Sequence, residues 1–395
     1  MWTRWRNGCL ALVAAWSIAW PHWPEARAEG PDGASERPDL APNARSAILM
    51  DAATGIILYE KNAHDRLPPA SITKIMTMLL VMEAIEKGTL ALNEKVRTSE
   101  YAASMGGSQI FLEPGEEMTV EELLKGVALA SGNDASVALA EKIAGTEGQF
   151  VRMMNEKAKA LGMNNTHFRN SNGLPADGHY STAYDIALMS RELLKHEAIT
   201  KYTGLYQDYL RKDTDKPFWL VNTNKLVRFY EGADGLKTGY TSEAKFCLAA
   251  TARRGHFRVI AVVMGEPDSK TRNAEVARMF DYAFSQYDTI PLYDTGDAIG
   301  SVRVEKGAVS SLRLVAKHPY TVLVRKGEKK EALRTEIVWE RVRAPVAYGQ
   351  RVGTLNVYRG EQLVAQFPLE SPATVARAGW WTLVKRTAKR MFFVD

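Results

Sequence analysis

The chain has 395 residues, enough for two or three domains, and its 46% hydrophobic and 25% charged content is that of a globular protein with ample core. A formal net charge of +5 is too small to argue for a nucleic-acid partner. Seven scattered histidines, with no His-x-x-x-His or His-Glu-x-x-His pair, give no zinc site, and no other cofactor is implied.

Residues 1–28 read as a secretory signal peptide. Arg4 and Arg6 precede an apolar stretch from about Cys9 to Trp20, and Ala26-Arg27-Ala28 is a small-x-small cleavage site that leaves Glu29 as the new N-terminus. The apolar run is short for a membrane span, which counts against an uncleaved anchor. Cys9 lacks the small-residue context of a lipoprotein cysteine. Cleavage removes Arg4, Arg6, Arg27 and Glu25, so the net charge falls from +5 to +3. One cysteine then remains, Cys247, and no intrachain disulfide can form. It lies in the run Phe246-Cys247-Leu248-Ala249-Ala250 and reads as a small core residue.

Residues 29–45, with Pro, Gly, Asp and Ser, read as a loose linker. Ser46–Met50 and Gly55–Tyr59 are β-rich runs around Asp51-Ala52-Ala53-Thr54, a hairpin pattern. Pro68 and Pro69 precede a helix predicted from Ser71 to about Lys87, with Gly88 as its stop. That helix is apolar nearly all round, so it belongs in the middle of a domain. Ser71 and Lys74 share one face at its N-terminal end, where free backbone N–H groups and the dipole favour a developing oxyanion. A lysine one turn away can take the serine's proton if its pKa is lowered. Ser-x-x-Lys alone is a weak signal, since Ser242-Glu243-Ala244-Lys245 repeats it in what reads as turn and strand.

Thr119-x-x-Glu122 is a capping box for a helix from about Val120 to Ala130, and Asp134 is placed to cap the next, Ala135 to about Ile143. Ser131 and Asn133 fall in the tight turn between them, where polar groups can point into a cleft; the bland reading is a helix–helix turn. A helix from about Gln149 to Leu161, a polar loop over 164–181 and a helix capped by Thr182-x-x-Asp185 follow. Asp234-Gly235-Leu236-Lys237-Thr238-Gly239-Tyr240 then leads into strand-like runs at Phe246–Thr251 and Phe257–Met264. Lys-Thr-Gly by itself reads as a surface turn, although a strand edge there would suit a substrate that binds as an added strand. Residues 269–286 form an amphipathic helix that closes an α+β domain over 46–288. Short alternating strands make a small all-β domain over 289–370, in which no catalytic constellation is visible.

Residues 371–395 read as an amphipathic helix. Trp380, Trp381, Val384, Ala388, Met391 and Phe392 share one face, and Lys385, Arg386, Lys389 and Arg390 the other. Tryptophans beside an apolar face, opposed by basic residues, favour an anionic membrane surface as partner, against the rival of packing on the β domain.

Taken in order, Ser71-x-x-Lys74, Ser131-x-Asn133 and Lys237-Thr238-Gly239 form the acyl-transfer set of penicillin-binding proteins and serine β-lactamases. The sequence resembles the low-molecular-mass penicillin-binding proteins that are serine D-alanyl-D-alanine carboxypeptidases, over nearly the whole chain. The wording at 69–78, 104–114 and 131–136 is similar to that of the sporulation-associated carboxypeptidases of endospore-forming bacilli. The resemblance implies a penicillin-binding-protein/β-lactamase-like catalytic domain with an antiparallel sheet and a helical subdomain. It implies Ser71 as nucleophile, Lys74 as base and Ser131 as proton relay. Asn133, Lys237, Thr238, Gly239 and Tyr240 would bind substrate, with the N–H groups of Ser71 and Tyr240 as oxyanion hole. The implied substrate is a peptidoglycan stem peptide ending in D-Ala-D-Ala, with β-lactam antibiotics as covalent inhibitors. A class A β-lactamase needs a glutamate for deacylation, and the loop from Lys157 to Asp177 has none. An endopeptidase using the same residues stays open, as does a non-catalytic wall-binding protein, which the intact motifs disfavour.

Overall fold

The computed structural model describes residues 38–327 and 332–392, so the signal-peptide reading lies outside the described residues. A five-stranded antiparallel sheet organises the catalytic region, with strands in the order Ile57–Lys61, Ser46–Asp51, Phe257–Glu266, Lys245–Arg254 and Ala233–Thr241. The three inner strands are buried on both faces, and each face carries its own core. On one side lies the helix Ser269–Gln286, whose Val276, Met279, Phe280 and Ala283 are buried as its 3.6-residue period demands. On the other lies the helical block, centred on the helix Lys74–Glu86, which buries ten of its thirteen residues. It can be apolar all round because neighbours cover every face.

The stretch expected to be a loose linker is ordered from residue 38. Leu40, Ala41 and Ala44 are buried in the core beneath the sheet, and Asn43 donates to Glu275 (2.7 Å). Three apolar side chains within five residues are enough to tie down a polar segment, which composition alone does not reveal.

The capping box forms as expected at Thr119–Glu122, and Thr182 caps its helix by accepting from the Asp185 N–H. The helix after Ser131 begins at Asn133 and has no side-chain cap, contrary to expectation. Asp134 instead accepts from the N–H groups of Ile110 (3.0 Å) and Leu112 (3.1 Å), pinning the 106–112 loop to this helix.

The β domain runs from the strand Tyr287–Tyr293 to the strand Gln362–Glu370 around its own core. Residues 371–378, expected to be helical, instead extend this domain. Val375 pairs with Val346, the Ala308 N–H donates to the Ala376 carbonyl, and the Ala378 N–H to that of Lys306. The terminal helix starts at Trp380. Trp380 and Trp381 are about two-thirds exposed, while Arg386 donates to the carbonyls of Gly307 (2.7 Å) and Ala308 (2.8 Å). No helix among the described residues is long and apolar enough to cross a membrane.

Candidate active site

Ser71 sits in a 3₁₀ turn, Ala70–Thr73, that runs directly into the central helix at Lys74. Ala70 holds φ at +47°, a conformation that L side chains rarely adopt, just before the serine. Strained backbone at such a place survives only when its surroundings dictate it. Here the loop 170–175 does so. Gly173 has φ +87°, and a Cβ on it would lie 1.9 Å from the Ala70 carbonyl oxygen. The loop is itself clamped, because the Ser171 carbonyl accepts from Thr77 (2.6 Å) and Ser136 (2.8 Å), and Ser171 Oγ donates to Glu147 (2.7 Å).

Lys74 is completely buried. Its Nζ lies 2.6 Å from Asn133 Oδ1, 2.6 Å from the Asn172 carbonyl and 3.1 Å from Ser71 Oγ. The Asn133 amide orientation is dictated, since its Nδ2 donates to the Gly106 carbonyl (2.7 Å), which can only accept. Two of the three neighbours of Nζ are therefore obligate acceptors. A neutral amine has two N–H bonds for them and one lone pair, which then faces the serine hydroxyl. Burial holds the Lys74 pKa well below its ordinary value, and the nearby Lys237 charge lowers it further, with Asp134 opposing. The chemistry of the arrangement is that of a serine hydroxyl against a buried basic amine.

Ser131 ends a π-helical turn, Gly126–Ala130, in the left-handed conformation (φ +63°). It is buried, and its hydroxyl has no hydrogen-bond partner among the described residues. Lys237 is buried as well, donating to the Thr238 carbonyl (3.0 Å). Its pKa is drawn down to about 7, first by burial and then by the Arg272 charge. Thr238 Oγ1 donates to Thr223 Oγ1 (2.7 Å). Lys-Thr-Gly is not a surface turn. It lies in the strand Ala233–Thr241, at the edge of the sheet. A Cβ at Gly239 would fall 2.9 Å from the Pro69 carbonyl oxygen, so glycine is what allows this strand to approach the serine turn. Tyr240 is exposed, and its ring lies 4.5 Å from that of Phe246, tilted by 39°. The second Ser-x-x-Lys, at Ser242, is an exposed turn beyond it.

Hydrogen bonds thus join Ser71, Lys74 and Asn133, and Gly239 packs on the turn that carries the serine. The sequence reading assigned no role to Asn172, Ser171, Gly173, Thr223 or Arg272. The polar run Asn170-Ser171-Asn172-Gly173 was visible, but a backbone carbonyl as lysine partner leaves no trace in side-chain type. No group of three or more His, Cys, Asp or Glu side chains suited to a metal occurs among the described residues.

The chain belongs to the D-alanyl-D-alanine carboxypeptidase family, peptidase S11, whose profile matches residues 33–268. A second profile, the C-terminal domain of penicillin-binding protein 5, matches residues 287–377. The chain is 55% identical over 350 residues to the D-alanyl-D-alanine carboxypeptidase DacF of Bacillus subtilis, covering 88% of this chain and 90% of that one. It is similar to the crystal structure of penicillin-binding protein 6B from Escherichia coli, with TM-score 0.66 and 30% identity over 88% of this chain and 99% of that one. It is also similar to penicillin-binding protein D2 of Listeria monocytogenes in its ampicillin-bound form, with TM-score 0.56 and 32% identity, covering 62% of this chain and all (100%) of that one.

Proposed function

We propose that the chain is a serine D-alanyl-D-alanine carboxypeptidase that removes the terminal D-alanine from peptidoglycan stem pentapeptides. Ser71 Oγ attacks the penultimate D-alanine carbonyl while Lys74 Nζ accepts its proton. The tetrahedral oxyanion is held by the N–H groups of Ser71 and Tyr240, and one such donor contributes about 2.7–4 kcal/mol in the transition state. Ser131, with its uncommitted hydroxyl, passes the proton to the leaving amine as the C–N bond breaks. Water then releases the acyl group from Ser71 Oγ. Asn133 holds the substrate amide, and Lys237 and Thr238 take the terminal carboxylate, for which a cation and a hydroxyl are suited. β-Lactams would acylate the same serine. The observation that carries this reading is the placement of the buried Lys74 Nζ 3.1 Å from Ser71 Oγ, with the Asn133 and Asn172 oxygens, both obligate acceptors, 2.6 Å away.

The signal-peptide pattern supports an extracytoplasmic location, and the likeness to the sporulation-associated carboxypeptidases supports action during sporulation. The exposed Trp380–Trp381 pair at the start of the terminal helix supports attachment to an anionic membrane surface. The test is mass spectrometry of products from the protein lacking residues 1–28, with a Ser71→Ala control. Loss of one D-alanine from a monomeric pentapeptide muropeptide, absent in the control, is expected. Cleavage of a cross-linked dimer with the pentapeptide left intact would refute the assignment.

A further inference from the structure

Positive charge without a carboxylate partner stands just past one end of the cleft. Thr223, which accepts from Thr238, is exposed. Its neighbour Asn222 donates its N–H to the Tyr206 carbonyl (2.8 Å), and Asn224 Nδ2 donates to the Gly235 carbonyl (2.8 Å). Tyr206 and the short helix Leu226–Phe229 therefore flank the Gly235 end of the edge strand, away from Tyr240. Lys225 Nζ lies 5.3 Å and the Arg228 guanidinium 4.7 Å from the centre of the Tyr206 ring. The Phe229 ring meets Tyr206 edge-on at 6.4 Å and is 72% exposed. Among the described residues neither cation has an ion pair or side-chain hydrogen bond, whereas Arg211, Arg258 and Lys157 are each paired with carboxylates. A guanidinium resting on a ring keeps its in-plane N–H donors for a second partner.

We propose that Tyr206, Lys225, Arg228 and Phe229 form a docking surface for a carboxylate-bearing peptide on a neighbouring strand of the cell-wall polymer. This rests on the proposed function. In that reading the scissile carbonyl sits at the Tyr240 end and the terminal carboxylate at Lys237 and Thr238. The peptide being cut ends there, so no part of its own stem reaches the surface beyond Gly235. Removing one D-alanine from a free peptide needs nothing at that place. In a polymeric mesh a second stem peptide crosses it, and stem peptides carry the carboxylates that two unpaired cations attract.

The test compares the wild-type protein with a Lys225→Met/Arg228→Gln variant, which keeps the aliphatic packing on Tyr206. The substrates are a diacylated tripeptide ending in D-Ala-D-Ala, a monomeric pentapeptide muropeptide and intact pentapeptide-rich peptidoglycan. On the two soluble substrates the variant should match wild type. On the polymer its rate should fall about five-fold, the scale of two partly exposed charge contacts, and high salt should remove the difference. Keeping one charge, in a Lys225→Met/Arg228→Lys variant, should retain part of the rate. Equal rates on the polymer overturn the proposal. So do equal losses on all substrates with lowered thermal stability, which would make the cations structural, and loss of binding to anionic vesicles alone, which would make the partner a lipid surface. If the wild-type protein leaves the soluble substrates uncut, the proposed function fails. Co-sedimentation of wild type and variant with peptidoglycan still decides the docking surface in that case.

Discussion

Replacing Asn133 by aspartate tests whether a neutral Lys74 is what the site requires. The change is nearly isosteric, but it puts a negative charge where Oδ1 now lies, 2.6 Å from Lys74 Nζ. Opposite unit charges at 4 Å attract by about 4 kcal/mol at an effective dielectric constant of 20. The real separation is shorter, while loss of the Nδ2 bond to the Gly106 carbonyl offsets part of the gain. A net stabilisation of the ammonium by about 2.7 kcal/mol shifts the neutral-to-charged ratio of Lys74 about a hundred-fold towards the ammonium. In the proposed mechanism the neutral amine is the base, so the acid limb of the kcat/KM profile should move to higher pH. Acylation at pH 7 should fall, by no more than about two orders of magnitude, and recover at alkaline pH. A pH series of acylation by a fluorescent penicillin, alongside D-alanine release from the diacylated tripeptide, measures this. A uniform loss at every pH, with the acid limb unmoved, would show that Asn133 acts only on the substrate and would refute the reasoning.

Lys237→Met should weaken binding of the substrate carboxylate yet stabilise the fold. The Lys237 pKa falls from its ordinary 10.5 to about 7 in the folded protein, so between those values the unfolded chain holds one more proton and stability rises with pH. The wild-type penalty at pH 7 is then at most ~4 kcal/mol, and the variant's advantage, measured by urea unfolding, should shrink as pH approaches 10. An advantage independent of pH would count against a neutralised lysine. Gly173→Ala should cost more than ~3 kcal/mol, because it sets a Cβ against the Ala70 carbonyl at positive φ; calorimetry should show a fall in Tm of about 6–12 °C together with slower acylation. A silent substitution would mean that the loop does not hold the serine turn. Truncation after Ala378 spares the β-domain pairing of 371–378, so turnover of a soluble peptide should persist while flotation with anionic vesicles is lost; continued flotation would reject the membrane helix.

Local order and the inventory of reactive side chains are legible in the chain alone. The buried helix after Pro69, the capping box at Thr119, the N-cap at Thr182, and the helix at 269–286 follow from residue spacing, which acts over one or two turns. The three motifs fixed which side chains are present. Long-range packing set what those side chains stand next to. It turned Lys-Thr-Gly from an apparent turn into a buried edge strand, because packing against Pro69 and Ile72 outweighs the poor strand propensity of two glycines. It took Asp134 from a helix cap to a loop clamp and ordered the segment after residue 38. Above all it supplied the backbone carbonyl of Asn172 beside Lys74 and the burial that lowers the lysine's pKa. These depend on segments about a hundred residues apart, and neither a carbonyl's position nor a side chain's desolvation is a property of residue type.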